Sequence, residues 1–261
     1  MMSEGKSPVF RLDDQVAVVT GAGRGMGRTF SAALAHAGAD VVVTDLPGKE
    51  DDAEETAKKV RAAGRRALVV PLDVTQTASI RAMVEQVVDA WGHIDILVNN
   101  AGINVRQFAV DVTEDAWDRI VGVNQKGLFF CSQAVGKHMI ERGRGGKIVN
   151  VASQMGLVGD QERIVYCATK AAVVNITRVL AIEWAPHGIT VNAIAPTYVR
   201  TPLVEALIQD KAVYEDIVRR IPLGRMAEPE DVAGAVIFLA SSASDFVTGH
   251  TLTVDGGWTA V

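Results

Sequence analysis

Tyr166 and Lys170 stand four residues apart in YCATK, a stretch otherwise made of small residues. On a helix, positions i and i+4 share a face, so this spacing brings an ammonium beside a phenol. A free phenol titrates near pH ~10, too high for efficient proton exchange around neutrality, and a neighbouring cation favours the phenolate. The pair therefore has the makings of a tuned acid or base. An arbitrary Tyr–Lys pair is more often a surface contact, so the rest of the chain must supply the context. Ser153 ends the apolar run KIVNVAS (147–153), which would place a hydroxyl at the carboxyl end of a strand, where open α/β sheets bind ligands. Asn124, in VGVNQKG, adds a polar side chain to a helical setting where Asn is disfavoured without a reason.

A second group of residues suits phosphate chemistry. TGAGRGMG (20–27) lies between the first apolar run and the first helical stretch, where a glycine loop leaves backbone N–H groups and a positive helix end facing a pyrophosphate. Its spacing, Gly21-xxx-Gly25-x-Gly27, departs from G-x-G-x-x-G and lacks the G-K-[ST] ending of a triphosphate loop, so alone it reads equally as a structural turn. Asp45 changes the balance. It ends the second apolar run, where a carboxylate accepts hydrogen bonds from an adenosine ribose and repels a 2′-phosphate, favouring NAD over NADP. Arg24 pulls the other way, since its guanidinium could pair with a 2′-phosphate instead of lying on the adenine or neutralising Asp45.

The elements that would position these groups are legible as alternation. Six β-branched runs (16–20, 40–44, 67–72, 94–100, 147–153 and 189–196) are separated by stretches of helical composition. MGRTFSAALAHAG, EDDAEETAKKVRAAG and TASIRAMVEQVVDAWG each end in a glycine placed as a C-cap. Strands apolar on both faces suit a buried parallel sheet, and right-handed crossovers make it doubly wound, with about seven strands and helices on both faces. No linker, low-complexity tract or solenoid repeat interrupts the pattern, so one domain is expected over 12–261, preceded by a loose arm over 1–11.

Composition sets the outer bounds. The 261 residues are 48% hydrophobic, enough for a sizeable core, and the formal net charge of −5 offers no basic field to nucleic acid or an anionic membrane. RGRGGK (142–147) reads as a solvated turn. The longest uninterrupted apolar segment has nine residues (232–240), so no membrane span is expected. Cys131 and Cys167 support neither a disulfide framework nor a metal site, the five histidines show no ligand spacing, and no secretory leader is apparent, so a cytoplasmic setting is expected.

Taken together, TGAGRGMG, Asp73–Val74, NNAG (99–102), the set Asn124, Ser153, Tyr166 and Lys170, and VDGGW (254–258) resemble the short-chain dehydrogenase/reductase family over residues 12–261. The resemblance implies a single Rossmann-like domain that moves hydride between NAD(P) and an alcohol or carbonyl. It implies that Tyr166 exchanges the proton with the substrate oxygen, Ser153 holds that oxygen, Lys170 lowers the phenol pKa and binds the nicotinamide ribose, and Asn124 holds a relay water. It places the cofactor against Gly21, Arg24, Gly25, Met26, Gly27, Asp45, Leu46, Asp73, Val74, Asn100, Ala101, Gly102, Tyr166, Lys170, Pro196, Val199 and Thr201. For the substrate it points, besides Ser153 and Tyr166, to Gln154, Gln161, Asn104, Arg106 and Arg163, a polar set suited to a small sugar, polyol or aldonate. A homotetramer is implied as well.

Two residues depart from the family pattern: Thr197, where a glycine usually follows the proline, and the basic Arg24. The alternatives are an NADPH-dependent 3-oxoacyl carrier-protein reductase, which Asp45 and the negative charge disfavour, and a non-catalytic NAD-binding protein, which an intact catalytic set disfavours.

Overall fold

The computed structural model describes residues 10–261. The arm expected over 1–11 lies outside the described residues for positions 1–9. Phe10 packs against Phe238, and Leu12 is fully buried.

Seven strands form one parallel sheet: β1 (Val16–Val19), β2 (Asp40–Asp45), β3 (Ala67–Pro71), β4 (Ile96–Asn99), β5 (Gly146–Val151), β6 (Ile189–Pro196) and β7 (Thr251–Val254). Their order is β3-β2-β1-β4-β5-β6-β7, so the winding reverses between β1 and β4. That reversal opens a crevice beyond the carboxyl ends of those two strands, where open α/β sheets bind ligands. The seventh strand, at the edge, is not among the six runs read from β-branched composition, because TLTV is short and only partly buried.

Alternation along each strand fills two cores. Ala17 and Val19 pack on one face against Phe30 and Leu34 of α1 (Gly25–Ala37) and Val232 and Val236 of α9 (Pro229–Ala240). Val16 and Val18 pack on the other against Ile80 and Met83 of α3 (Thr77–Trp91) and Val135 and Met139 of α5 (Leu128–Arg142). Because both faces are covered, the strands need no polar side, which explains their unbroken apolar runs. The glycine stops behave as the sequence suggests. Gly38 and Gly92 take left-handed conformations that end α1 and α3, and Gly64 does so just after α2 (Glu50–Ala62).

The remaining helices are α4 (Glu114–Val121), α6 (Ile164–Trp184), α7 (Pro202–Ile208) and α8 (Lys211–Arg219). Residues 164–187, α6 with its closing turn, are long and apolar enough to cross a membrane by length and composition. Its Thr169, Lys170, Val173 and Val174 are buried in the protein, as in the core helix of a sheet-centred fold.

Candidate active site

A cleft of roughly 720 Å³ opens at the β1/β4 crevice, within the range of small-molecule sites. At one end the turn after β1 carries Gly21, Arg24, Gly25 and Met26 along the cleft wall. Gly21 and Gly25 hold φ of 61° and 54°, conformations that favour glycine. A Cβ on Gly27 would stand 2.3 Å from the Gly21 carbonyl oxygen and 2.6 Å from Asn100 Nδ2, so only glycine lets the loop fold over the start of α1. Gly27 is itself buried beneath the loop and is not among the residues lining the cleft.

The NNAG segment is what holds that loop. Asn100 Nδ2 donates to the carbonyls of Thr20 (2.9 Å) and Gly21 (3.0 Å), and Thr20 Oγ1 accepts from the N–H groups of Asn100 and Ala101, both at 3.0 Å. Asn99, one residue earlier, points into the core and donates to Ser132 Oγ and Asn150 Oδ1. Thr20 was absent from the sequence-derived site because a β-branched residue at a strand end carries no special signal.

Asp45 sits at the end of β2 with both oxygens engaged, Oδ2 accepting from the Gly23 N–H and Oδ1 from the Leu46 N–H, each at 2.8 Å. Among the described residues Arg24 makes no ion pair, so it does not neutralise Asp45. Leu46, Asp73 and Val74 line the same end, with Asp73 Oδ1 accepting from the Thr75 N–H and hydroxyl. Asn100, Ala101, Gly102, Pro196, Val199 and Thr201 continue the wall. The uncapped N-terminus of α1, the glycine cradle and the Asp45 carboxylate bonded to that loop fit an adenine dinucleotide. Thr197, the departure from the usual glycine, also lines the cleft, and its buried Oγ1 has no partner.

The other end is where Ser153, Tyr166 and Lys170 meet. β5 ends at Val151, two residues short of the run read from sequence, and Ser153 caps a 3-10 turn over Gln154–Gly156, accepting from the Met155 N–H at 3.1 Å. Tyr166 lies in the first turn of α6 with Lys170 one turn on, Nζ 5.6 Å from the ring centroid. Lys170 is buried, its Nζ donates to the Val151 carbonyl at 2.7 Å, and burial pushes its pKa down to about 8. Burial also pushes the Tyr166 phenol up, against a hydrogen bond from Ser153 and the Arg163 guanidinium, both of which pull it down. Desolvation is the largest influence on the phenol here, with Ser153 and Arg163 opposing it.

Asn124 lies in a π-helical segment, Gly122–Gly127, between α4 and α5. It is fully buried; its Oδ1 accepts from the Ile103 N–H and its Nδ2 donates to the Ile103 carbonyl, both at 2.8 Å. Asn124 itself does not line the cleft. The side chain fixes the loop after β4, which explains a polar residue in this helix.

Of the substrate residues, Asn104, Arg106 and Arg163 line the cleft. Gln154 does not: the 3-10 turn sends it inward, fully buried with no partner for its amide, and puts Met155 on the wall instead. Gln161 does not either. Glu162 takes φ of 60°, which turns the chain so that Arg163 enters the cleft while Gln161 joins Phe108, Ile164 and Cys167 in a separate shallow depression. Tyr198, Leu203, Val204, Leu207 and Val213 complete the wall. Among the described residues no group of three or more His, Cys, Asp or Glu could hold a metal.

The family model described as "Enoyl-(Acyl carrier protein) reductase" matches residues 21–259. The chain is 44% identical over 251 residues to a 2-dehydro-3-deoxy-D-gluconate 5-dehydrogenase of Escherichia coli (strain K12), covering 96% of this chain and 98% of that protein. It is 39% identical over 259 residues to an NAD-dependent glycerol dehydrogenase of Listeria innocua, covering 99% of each. Its structure is similar, with a TM-score of 0.93 and 42% identity over 97% of this chain and 98% of the other, to a gluconate 5-dehydrogenase from Burkholderia cenocepacia J2315 in complex with NADP and tartrate.

Proposed function

The chain belongs to the short-chain dehydrogenase/reductase family, and on that premise we propose that it moves a hydride between NAD and a secondary alcohol or carbonyl of a sugar, sugar acid or polyol. The observation that carries this reading is the convergence of Ser153, Tyr166 and Lys170 on a cleft whose other end is a glycine cradle faced by Asp45. A nicotinamide cofactor held there would supply the hydride chemistry. The chain's own part is to hold the reacting oxygen with Ser153, move its proton through Tyr166 Oη, and keep Lys170, which would bind the ribose, anchored on the Val151 carbonyl.

NAD is favoured over NADP by Asp45, whose carboxylate is locked at the β2 end without an ion-pair partner among the described residues and would repel a 2′-phosphate. One relative is NAD-dependent by name and one similar structure holds NADP, so Asp45 is the reason for the choice. The relatives' names, a deoxygluconate and a glycerol dehydrogenase among them, support a polyhydroxylated substrate over the acyl carrier-protein alternative. The family also supports a homotetramer, and the free thiols Cys131 and Cys167 suit a reducing, cytoplasmic compartment. The test is the rate of nicotinamide reduction with NAD and with NADP against a panel of aldonates, alditols and sugars. NAD-linked turnover of a polyhydroxylated substrate is expected, and NADPH-linked reduction of 3-oxoacyl thioesters alone would overturn the reading.

A further inference from the structure

The substrate end of the cleft has a charge pattern that separates the acids from the neutral polyols among the substrates proposed above. Arg163 is only 6% exposed and yet lines the cleft. Its guanidinium is held from two sides, with Nε 3.3 Å from Asp160 Oδ2 and the carbon centre 5.3 Å over the Tyr198 ring. Tyr198 in turn donates to Asp160 Oδ2 at 2.8 Å, which locks that frame. Nε is buried and meets Asp160 as an ion pair without hydrogen-bond geometry, and among the described residues the terminal nitrogens make no hydrogen bond. Asp160 offsets the buried charge, but terminal N–H groups left without an acceptor carry a desolvation cost that a ligand in the cleft would relieve.

The carboxylates that pair with the two wall arginines approach them from outside the cleft. Asp160 serves Tyr198, Arg163 and, at 3.5 Å, Arg220, while Glu162 pairs with Arg106. Asp160 and Glu162 line the separate depression on the outer side of the α6 start, whereas Arg106 and Arg163 line the cleft. At this end only Asp210 brings a carboxylate to the wall, and its Oδ1 is engaged in capping α8 through the N–H groups of Ala212 and Val213. In the same cleft, Asn104 Oδ1 is buried and has no donor. The wall thus presents guanidinium nitrogens without hydrogen-bond partners and an unsatisfied acceptor in the same cleft as the hydroxyls of Ser153 and Tyr166.

We propose that this end of the cleft is built for a polyhydroxylated carboxylate, with Arg163 as the anchor for the carboxylate and Asn104 Oδ1 accepting from a substrate hydroxyl. The assignment rests on the oxidoreductase reading of the same site and narrows its substrate to sugar acids. An alditol of the same length would leave the Arg163 donors unpaired, and sites built around such donors discriminate strongly against analogues that lack the partner.

The experiment compares C5 and C6 aldonates with the alditols of matching configuration, using the full chain and its Arg163→Gln and Arg163→Lys variants. The wild-type protein is expected to favour the acids. The acid-to-alditol ratio of kcat/KM should fall roughly tenfold or more in R163Q, chiefly through KM, and recover in part in R163K. In parallel, malonate, an anion with no hydroxyl to oxidise, is titrated into the NAD complex and followed by fluorescence. It should bind the wild type and weaken in R163Q, while NAD affinity and circular dichroism report that the variant is folded. Preference for alditols, or an equal loss on both substrate classes, would overturn the assignment while leaving the oxidoreductase reading intact. NAD binding without turnover of any member of the panel would instead overturn that reading, with malonate binding still deciding whether the anion site exists.

Discussion

Tyr166 is the residue on which the chemistry turns, and its surroundings fix a direction for the pH dependence. Burial raises the phenol pKa above its ordinary value, and the Ser153 hydrogen bond and the Arg163 guanidinium only partly oppose it. Near neutrality Tyr166 is therefore the protonated acid. Carbonyl reduction needs that form, so its kcat/KM should be flat near neutrality and fall only at alkaline pH; alcohol oxidation needs the phenolate and should climb as pH rises. Initial rates in both directions across pH check this, and oxidation fastest below neutrality would contradict it. The YCATK spacing made Tyr166 and Lys170 legible in the sequence because helical periodicity fixes i and i+4 on one face. Arg163 could be named as a wall residue, but its approach to the phenol depends on the left-handed turn at Glu162, which no spacing rule announces. Gln154 and Gln161 were misplaced for the same reason, since side-chain direction in short turns is set by local backbone that composition does not reveal.

At the scale of elements, strands and helices were the legible part. The runs at 40–44 and 189–196 match β2 and β6 nearly to the residue, because both strands are buried along almost their whole length and rich in β-branched residues. The π-helical segment was not legible, as a single extra residue in a helical turn leaves no mark on apolar periodicity. Its Asn124 ties the segment to the loop after β4 through both backbone groups of Ile103. Asn124→Ala should leave a buried N–H and carbonyl unpaired at about 1–3 kcal/mol. The checks are a thermal melt, expected to show Tm lowered by several degrees, and kcat, expected to fall because Ile103 and Asn104 line the cleft. An unchanged Tm and kcat would mean that the loop is held by other contacts.

For the whole molecule, the parallel sheet and its reversal between β1 and β4 bring a dinucleotide cradle and a proton-exchanging tyrosine to one cleft. The outer face of α6 leaves Ile182 76% exposed and Val179 44% exposed on neighbouring turns, an apolar surface on the helix that carries the active site. If the tetramer proposed from the family uses this face, sedimentation should give four times the 27.8 kDa chain mass, and Ile182→Asp should lower it; a wild-type monomer would refute the assembly. The account as a whole is tested most directly by following nicotinamide reduction with an aldonate in the wild type and in Tyr166→Phe, with NAD affinity measured alongside. It predicts steady NAD reduction by the wild type and a loss of about a hundredfold or more in the variant, with NAD bound equally well by both. A variant that turns over as fast as the wild type, or a wild type that binds NAD and never reduces it, would contradict the account.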